Sequence, residues 1–364
     1  MKARNEYCVW GVIASVLSFW GCTQKTVDYY TVSDFKKISK IDAHFHYNTK
    51  DIRYLEYADS LNFRLISPNV NASVPIDDQL EIASVIKKRF PNKFTFLGTF
   101  SVDSFNNAGF AKKTIARIDE CMKAGASGIK IWKNIGMVLK DTSGRFVMAD
   151  NPAFEPVFNH LQEKNIPVLA HLGEPRNCWL PLEEMTLGND HNYFKNHPQY
   201  HMYLHPEAPS YEDQINARDN LLLQYPKLNF TGAHLASLEW NVDELAKRFD
   251  RFPMMEADMA ERIGHLQYQS LANREKVRNF LIKYQDRLMY ATDKTIGRDD
   301  TNYSEIINGL RATWLNDWIY LATDSSVIVN ELGQKEVKGL KLPREVIDKI
   351  YYKNAEHFYH IGKQ

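Results

Sequence analysis

The chain has 364 residues, 44% of them hydrophobic and 25% charged, so it can bury a sizeable core; the length suits one α/β barrel domain. Lysine plus arginine and aspartate plus glutamate each total 45, a formal net charge of zero. No global field therefore draws the protein to nucleic acid or to an acidic surface, and small molecules are the expected partners.

At the N-terminus, Lys2 and Arg4 precede an apolar run from about Cys8 to Trp20, too short to span a bilayer comfortably as a mature helix. It reads as a secretory leader. The run ends in Ser18-Phe-Trp-Gly-Cys22, which resembles the lipobox of bacterial lipoproteins, where cleavage before the cysteine leaves it lipidated. The departure lies at Phe19 and Trp20, where the usual pattern has an aliphatic and a small residue. This resemblance implies a signal peptide over 1–22, a lipid on Cys22 and export to the bacterial cell envelope, with that lipid as the only membrane attachment. A plain signal peptide or an uncleaved anchor are the alternatives. Residues 23–39 follow as a tether or cap. Outside the leader only Cys121 and Cys178 remain; an exported protein could pair them, but two cysteines make no scaffold, and buried, idle thiols are expected.

From residue 40 onward, short apolar runs alternate with amphipathic segments of helical length, as in repeated βα units around a parallel sheet. Eight strands are predicted, over 40–47, 64–70, 94–100, 128–133, 167–174, 229–236, 253–259 and 287–293. Apolar residues three or four apart predict helices over 106–124, 153–164, 211–224, 241–249 and 271–283. An open doubly wound sheet would place a glycine-rich phosphate loop after its first strand. That place holds His44 and His46 instead, so the expected fold is a closed (β/α)8 TIM barrel, one domain over 40–364.

In such a barrel, chemistry collects where the strands end. Those ends carry Asp42, His44 and His46 on the first strand, Lys130 on the fourth, His171 on the fifth, His234 on the sixth and Asp293 on the eighth. Each is a metal ligand or a proton carrier. Alternation along a strand turns His44 and His46 to one face, where two imidazoles can hold one divalent ion. Alone, His-x-His fits a packing role as well; with four of 12 histidines at three strand ends, the set points to a metal site.

The motifs Asp42-Ala-His-Phe-His46, Gly128-Ile-Lys-Ile-Trp132, His171-Leu-Gly-Glu174, Gly232-Ala-His234 and Tyr290-Ala-Thr-Asp293 together resemble, in type and order, those of the amidohydrolase superfamily. Within it the likeness is to the amidohydrolase-2 group, which includes aminocarboxymuconate semialdehyde decarboxylase, γ-resorcylate decarboxylase and related lactonases. The resemblance covers about residues 40–360. It implies a metal-dependent enzyme in which His44, His46, His171 and Asp293 hold one divalent ion and leave positions open for water and substrate. Zinc is the first expectation, and manganese, iron or cobalt suit the same ligands. It further implies His234 as the acid/base or carbonyl-polarising group and Asp293 as both ligand and proton relay. Asp42 is expected deeper on the same face, orienting an imidazole, or else as a buried carboxylate of the barrel floor.

Lys130 is carbamylated and bridges two metals in some branches of the superfamily; a free ammonium is favoured here. With Trp132 beside it, this group binds an anionic part of the substrate or forms a structural ion pair. Residues 176–209, starting at Arg176, are too many for an ordinary βα connection and are rich in aromatics and histidines. They are expected to fold over the mouth and wall a substrate pocket, or to pack for their own stability or at a homodimer contact. After the seventh strand, Arg262 either clamps a substrate carboxylate or pairs with Asp258. The leading functional reading is a hydrolase of a small cyclic or carboxylated ester, lactone or amide, acting through metal-activated water. Non-oxidative decarboxylation is the second reading, and a non-catalytic surface lipoprotein that binds a ligand is the third.

Overall fold

In the computed structural model, which describes Met1 and residues 28–72 and 74–362, eight parallel strands follow one another in chain order around a barrel. They are β1 (Lys40–Asp42), β2 (Phe63–Pro68), β3 (Phe94–Thr99), β4 (Ile129–Ile131), β5 (Val168–Ala170), β6 (Phe230–Gly232), β7 (Met255–Asp258) and β8 (Leu288–Met289). Beyond the regular ladder the ring closes through main-chain bonds from Ala43 N to Tyr290 O (3.0 Å) and Asp293 N to His44 O (2.8 Å). A short parallel pair, His46–Tyr47 with Thr295–Ile296, extends that seam. This is the expected TIM barrel. Its ladders are shorter than the apolar runs, because the C-terminal parts of those runs leave the sheet to build the mouth. The leader, Cys22 and residues 23–27 lie outside the described residues, and no described helix is long and apolar enough to cross a membrane.

The helices between strands include α1 (Arg53–Ser60), α2 (Ile76–Arg89), α3 (Phe110–Lys123), α4 (Glu155–Glu163), α5 (Tyr211–Gln224), α6 (Val242–Arg251) and α7 (Ile263–Lys283), with α8 (Tyr303–Ala322) after β8. Local chemistry sets their ends. Ser210 and Asp213 form a reciprocal capping box on α5, and Asn241 caps α6 through the Asp243 N–H. α3 starts at Phe110 rather than 106 because Gly109, at φ 84°, breaks the helical path just before it. α7 begins at Ile263, about two turns before the predicted 271, and Asn273 kinks it close to where the amphipathic pattern begins.

Two apolar layers hold the barrel. Inside the strands lie Ile41, Ala43, Ile66, Leu97, Leu169, Ala233 and Met289, closed off at one end by Phe358 and Tyr359 of the C-terminal segment. Outside, the sheet packs on its helices, with Phe63 stacked on Trp314 at 4.4 Å between centroids. With that floor plugged, the strand C-termini are left as the working end.

One interior carboxyl gives this core a pH dependence. Glu256 on β7 has an oxygen with no hydrogen-bond partner, and burial, opposed by Arg287, pushes its pKa up to about 8. The folded state therefore keeps a proton that the unfolded chain loses near its usual value of about 4.3, so this contribution to stability is full in acid and lost as pH rises through about 8. Glu256→Gln is expected to gain on the unmodified chain by roughly 3–5 kcal/mol between pH 5 and 8.5 in urea unfolding. A pH-independent difference between the two proteins would contradict this.

Candidate metal centre

The first strand carries a register slip that makes the site. Ile41 faces the barrel interior and Phe45 faces the helix layer, packing on Trp314 at 6.2 Å. Between them the ladder breaks: Ala43 N bonds back to Tyr290 O, Phe45 N to Ile66 O on the other neighbour, and His46 N to Lys294 O. In a regular strand residues 43 and 46 would bond to opposite neighbours, so the break works like a bulge. His44 and His46 both end up over the mouth, their ring centroids 5.2 Å apart.

Both imidazoles meet Asp293. Its Oδ1 lies 3.1 Å from His44 Nε2 and 3.2 Å from His46 Nε2, and the three residues form a group whose ligand atoms all lie within 4.8 Å of one another. His44 Nδ1 stands 2.8 Å from Asp258 Oδ2, which makes Nδ1 the protonated nitrogen and leaves Nε2 a lone pair directed at Asp293. A lone pair facing a carboxylate oxygen at 3.1 Å is repulsive unless a cation lies between or beside them; the Lys130 ammonium meets that need here, and a bound metal ion would meet it in the same way. Burial would raise Asp293, and it is positive charge beside it, at the His44, His234 and His46 imidazoles or on an ion they share, that holds it well below the usual carboxylate range. Burial, together with Lys130, lowers His44 and keeps it neutral. The neutral His44 imidazole, the His46 imidazole beside it and a carboxylate on one focus fit a divalent transition metal: two ligands about 2.0–2.1 Å from an ion stand roughly 3 Å apart. Lys130 Nζ lies 3.3 Å from His44 Nε2, with burial bringing its pKa down from 10.5 to about 8. It makes no ion pair among the described residues.

His171, the fourth expected ligand, stands apart from this group. Its Nε2 lies 3.2 Å from Glu174 Oε2, and Glu174 in turn pairs with Lys133. The His171 ring lies 4.2 Å from that of His234, and burial drives both histidines well below their usual pKa. His234 heads a turn that L-residues rarely adopt: residues 234–237 have φ of 60°, 53°, 56° and 55°. Left-handed backbone costs about 1–2 kcal/mol per residue, and here it is held by neighbours. Asp258 Oδ1 accepts the His234 N–H at 2.7 Å, Arg218 and Tyr211 donate to the carbonyls of Ala236 and Ser237, and Ser237 Oγ donates to Gly173 O at 3.0 Å. The preceding Gly232 is required by space, since a Cβ there would come within 2.4 Å of that of Ala236.

Two expectations are corrected, those for Asp42 and for Arg262. Asp42 orients no imidazole: the slip leaves it on the outer side, accepting from Thr292 N (3.0 Å), Thr292 Oγ1 (2.6 Å) and Trp314 Nε1 (3.0 Å), so it braces the turn that carries Asp293. Arg262 does not pair with Asp258; it is buried with Nη1 3.9 Å from Asp190 Oδ1 and an unpartnered Nε. Arg176 stacks over Trp240 at 4.3 Å, Trp132 is half-buried, and Cys121 and Cys178 are free buried thiols without a disulfide. Within the 176–209 stretch, Asp190 stands 3.1 Å from His265 of α7 and the Tyr200 ring lies 5.7 Å from the Lys133 ammonium. Asp258 is the residue sequence reasoning misjudged, although its place at the seventh strand end was the available signal. It joins His44 to the His234 turn, so Asp258→Asn is expected to weaken metal binding by about 10–100-fold, read by competition with a chelator.

The family model for Amidohydrolase (Amidohydro_2) matches residues 102–361, well over half of the chain, and begins after the His44–His46 pair. No curated protein matches the sequence. Among solved structures, an uncharacterized TIM-barrel protein from Bordetella bronchiseptica is 14% identical with a TM-score of 0.52, over 89% of this chain and 99% of the other. A structure named amidohydrolase II is 15% identical with a TM-score of 0.50, over 88% of this chain and all of the other. Both likenesses concern the barrel fold. With the family match across β4 to β8 and the His-His-Asp group at the strand ends, the chain belongs to the amidohydrolase-2 family of metal-dependent enzymes.

Proposed function

We propose that the chain is a metal-dependent hydrolase of a small cyclic or carboxylated ester, lactone or amide, with His44, His46 and Asp293 as the core of the ligand set and His171 beside them. The observation that carries this reading is the lone pair of His44, fixed by Asp258 and aimed at an ionised Asp293. When bound, the ion supplies a water of lowered pKa and a Lewis acid for the substrate carbonyl. Zinc is the first candidate, then manganese, iron or cobalt.

The protein's own residues supply the rest. His234 Nδ1 lies 2.9 Å from Ala260 O, which as an acceptor fixes the proton on Nδ1 and leaves Nε2 to take and return a proton during attack on the carbonyl. Lys130 and Arg262 are buried cations able to hold a substrate carboxylate, with Arg262 the better suited to bidentate contact. The 176–209 stretch keeps bulk water from the imidazoles. Those two cations also support the second reading, decarboxylation, with His234 delivering a proton to carbon.

Elemental analysis of the purified protein, followed by a screen of esters, lactones, amides and aromatic carboxylates, tests the proposal. Hydrolysis products without carbon dioxide support the first reading, and carbon dioxide release without water uptake the second; a metal-loaded protein inert to all four classes defeats both. Export with a lipid on Cys22 is proposed separately, and continued membrane association of Cys22→Ala would refute it.

A further inference from the structure

Ala291, Thr292 and Lys294, which flank Asp293, also line a cavity of about 280 Å³ to which none of the three grouped metal-site residues contributes. Its other walls come from the start of α7, the middle of α8 and the strand Ser326–Val329 with the turn after it. Three carboxylates reach it, those of Glu261, Asp317 and Glu331, against one ammonium, Lys294, whose Nζ is 3.7 Å from Glu261. Asp317 accepts from Tyr290 and Glu261 from Asn189, whereas Glu331 makes no side-chain hydrogen bond or ion pair among the described residues.

A second observation is independent of this charge. Gln267, on the wall of the cavity, is only 6% exposed, and its amide makes no hydrogen bond among the described residues. The fold leaves this amide without a protein partner while its polar atoms stay open to the cavity, so it is free to bond to a ligand held there. The excess of carboxylates excludes an anion. Among the described residues, His44, His46 and Asp293 are the one group of three such ligands drawn close together; the cavity's carboxylates form no such compact set, which favours a larger cation over a tightly caged metal ion. Ile263, Val327 and Val329 add an apolar wall, which suits a carbon chain. Burial above all, with Asp42 and Glu261, brings Asp317 up to about 7 against the pull of Tyr290 and Lys294, a value that a bound cation would lower.

We propose that this cavity is a binding site for a small organic ammonium, a protonated primary alkylamine, whose N–H groups are received by Glu331, Asp317 and the Gln267 amide oxygen. Its alkyl chain lies against Ile263, Val327 and Val329. The site is separate from the metal centre and does not depend on the reaction proposed above.

Calorimetric titration of the purified metal-loaded protein with butylammonium chloride tests this, alongside calcium chloride, potassium chloride and sodium butyrate at matched ionic strength. Saturable butylammonium binding is expected, at least tenfold weaker in Glu331→Gln and in Gln267→Leu and unchanged in His46→Ala. Far-UV circular dichroism checks that each variant is folded. The proposal is overturned if butylammonium does not saturate, if butyrate or calcium binds equally well, or if both cavity variants bind as the unmodified protein does. Loss of binding in His46→Ala would move the amine to the metal centre and also overturn it.

Discussion

Asp293→Ala protein is expected to purify with less than a tenth of the metal found in the unmodified chain, and with the same far-UV circular dichroism. Asp293 Oδ1 is the point where both Nε2 atoms meet, so its removal takes away the anion that balances the charge of a divalent ion. Removing the two imidazoles together, His44→Ala with His46→Ala, is expected to have the same result. The barrel does not need these side chains to fold, because its interior is filled by the layer running from Ile41 to Met289 and its floor by Phe358 and Tyr359. Metal analysis on matched preparations decides the matter. Unchanged metal content in Asp293→Ala would remove the carboxylate from the site, and unchanged content in the double histidine variant would remove the site altogether.

His234 is expected to behave in the opposite way, keeping the metal and losing turnover by about 10²–10⁴-fold, the usual worth of a positioned acid/base group. Asparagine is the informative replacement. It tolerates left-handed backbone better than other non-glycine residues, so His234→Asn retains the strained turn at φ 60° while taking away the imidazole. Alanine would mix a backbone effect with a chemical one. Once a substrate is in hand, kcat and metal content measured on the same preparation separate the roles. Full activity would make His234 a packing residue, and loss of metal would make it a ligand.

The two outcomes differ because Asp258 divides its oxygens. Oδ2 faces the His44 imidazole and Oδ1 receives the backbone of His234, so one buried carboxylate sets the geometry of both the metal side and the proton-transfer side. Burial would raise its pKa, but His44 and His234 keep it ionised. The weaker metal binding expected of Asp258→Asn is therefore distinct from either substitution above. It should loosen the ion and disturb the turn together.

Much of this was legible in the order of residues. Eight apolar runs spaced by helical segments specify a barrel, because alternation and amphipathic spacing are local properties that survive into the fold. The strand-end positions of His44, His46, His171, His234 and Asp293 follow from the same pattern, and with them the class of chemistry. Tertiary structure alone decided the rest. The slip at residues 43–46 turns Asp42 away from the mouth, and it arises from bonds to β2 and to the segment after β8, far off in sequence. Arg262 faces Asp190 rather than Asp258, and His171 faces Glu174 rather than the other ligands, because buried polar groups take whichever partner the packed barrel brings within reach. The left-handed turn at His234 is set in the same way, by donors and acceptors from α5, β7 and the loop after β5. Periodicity records which face a residue tends toward; it carries no record of which distant partner will meet it there.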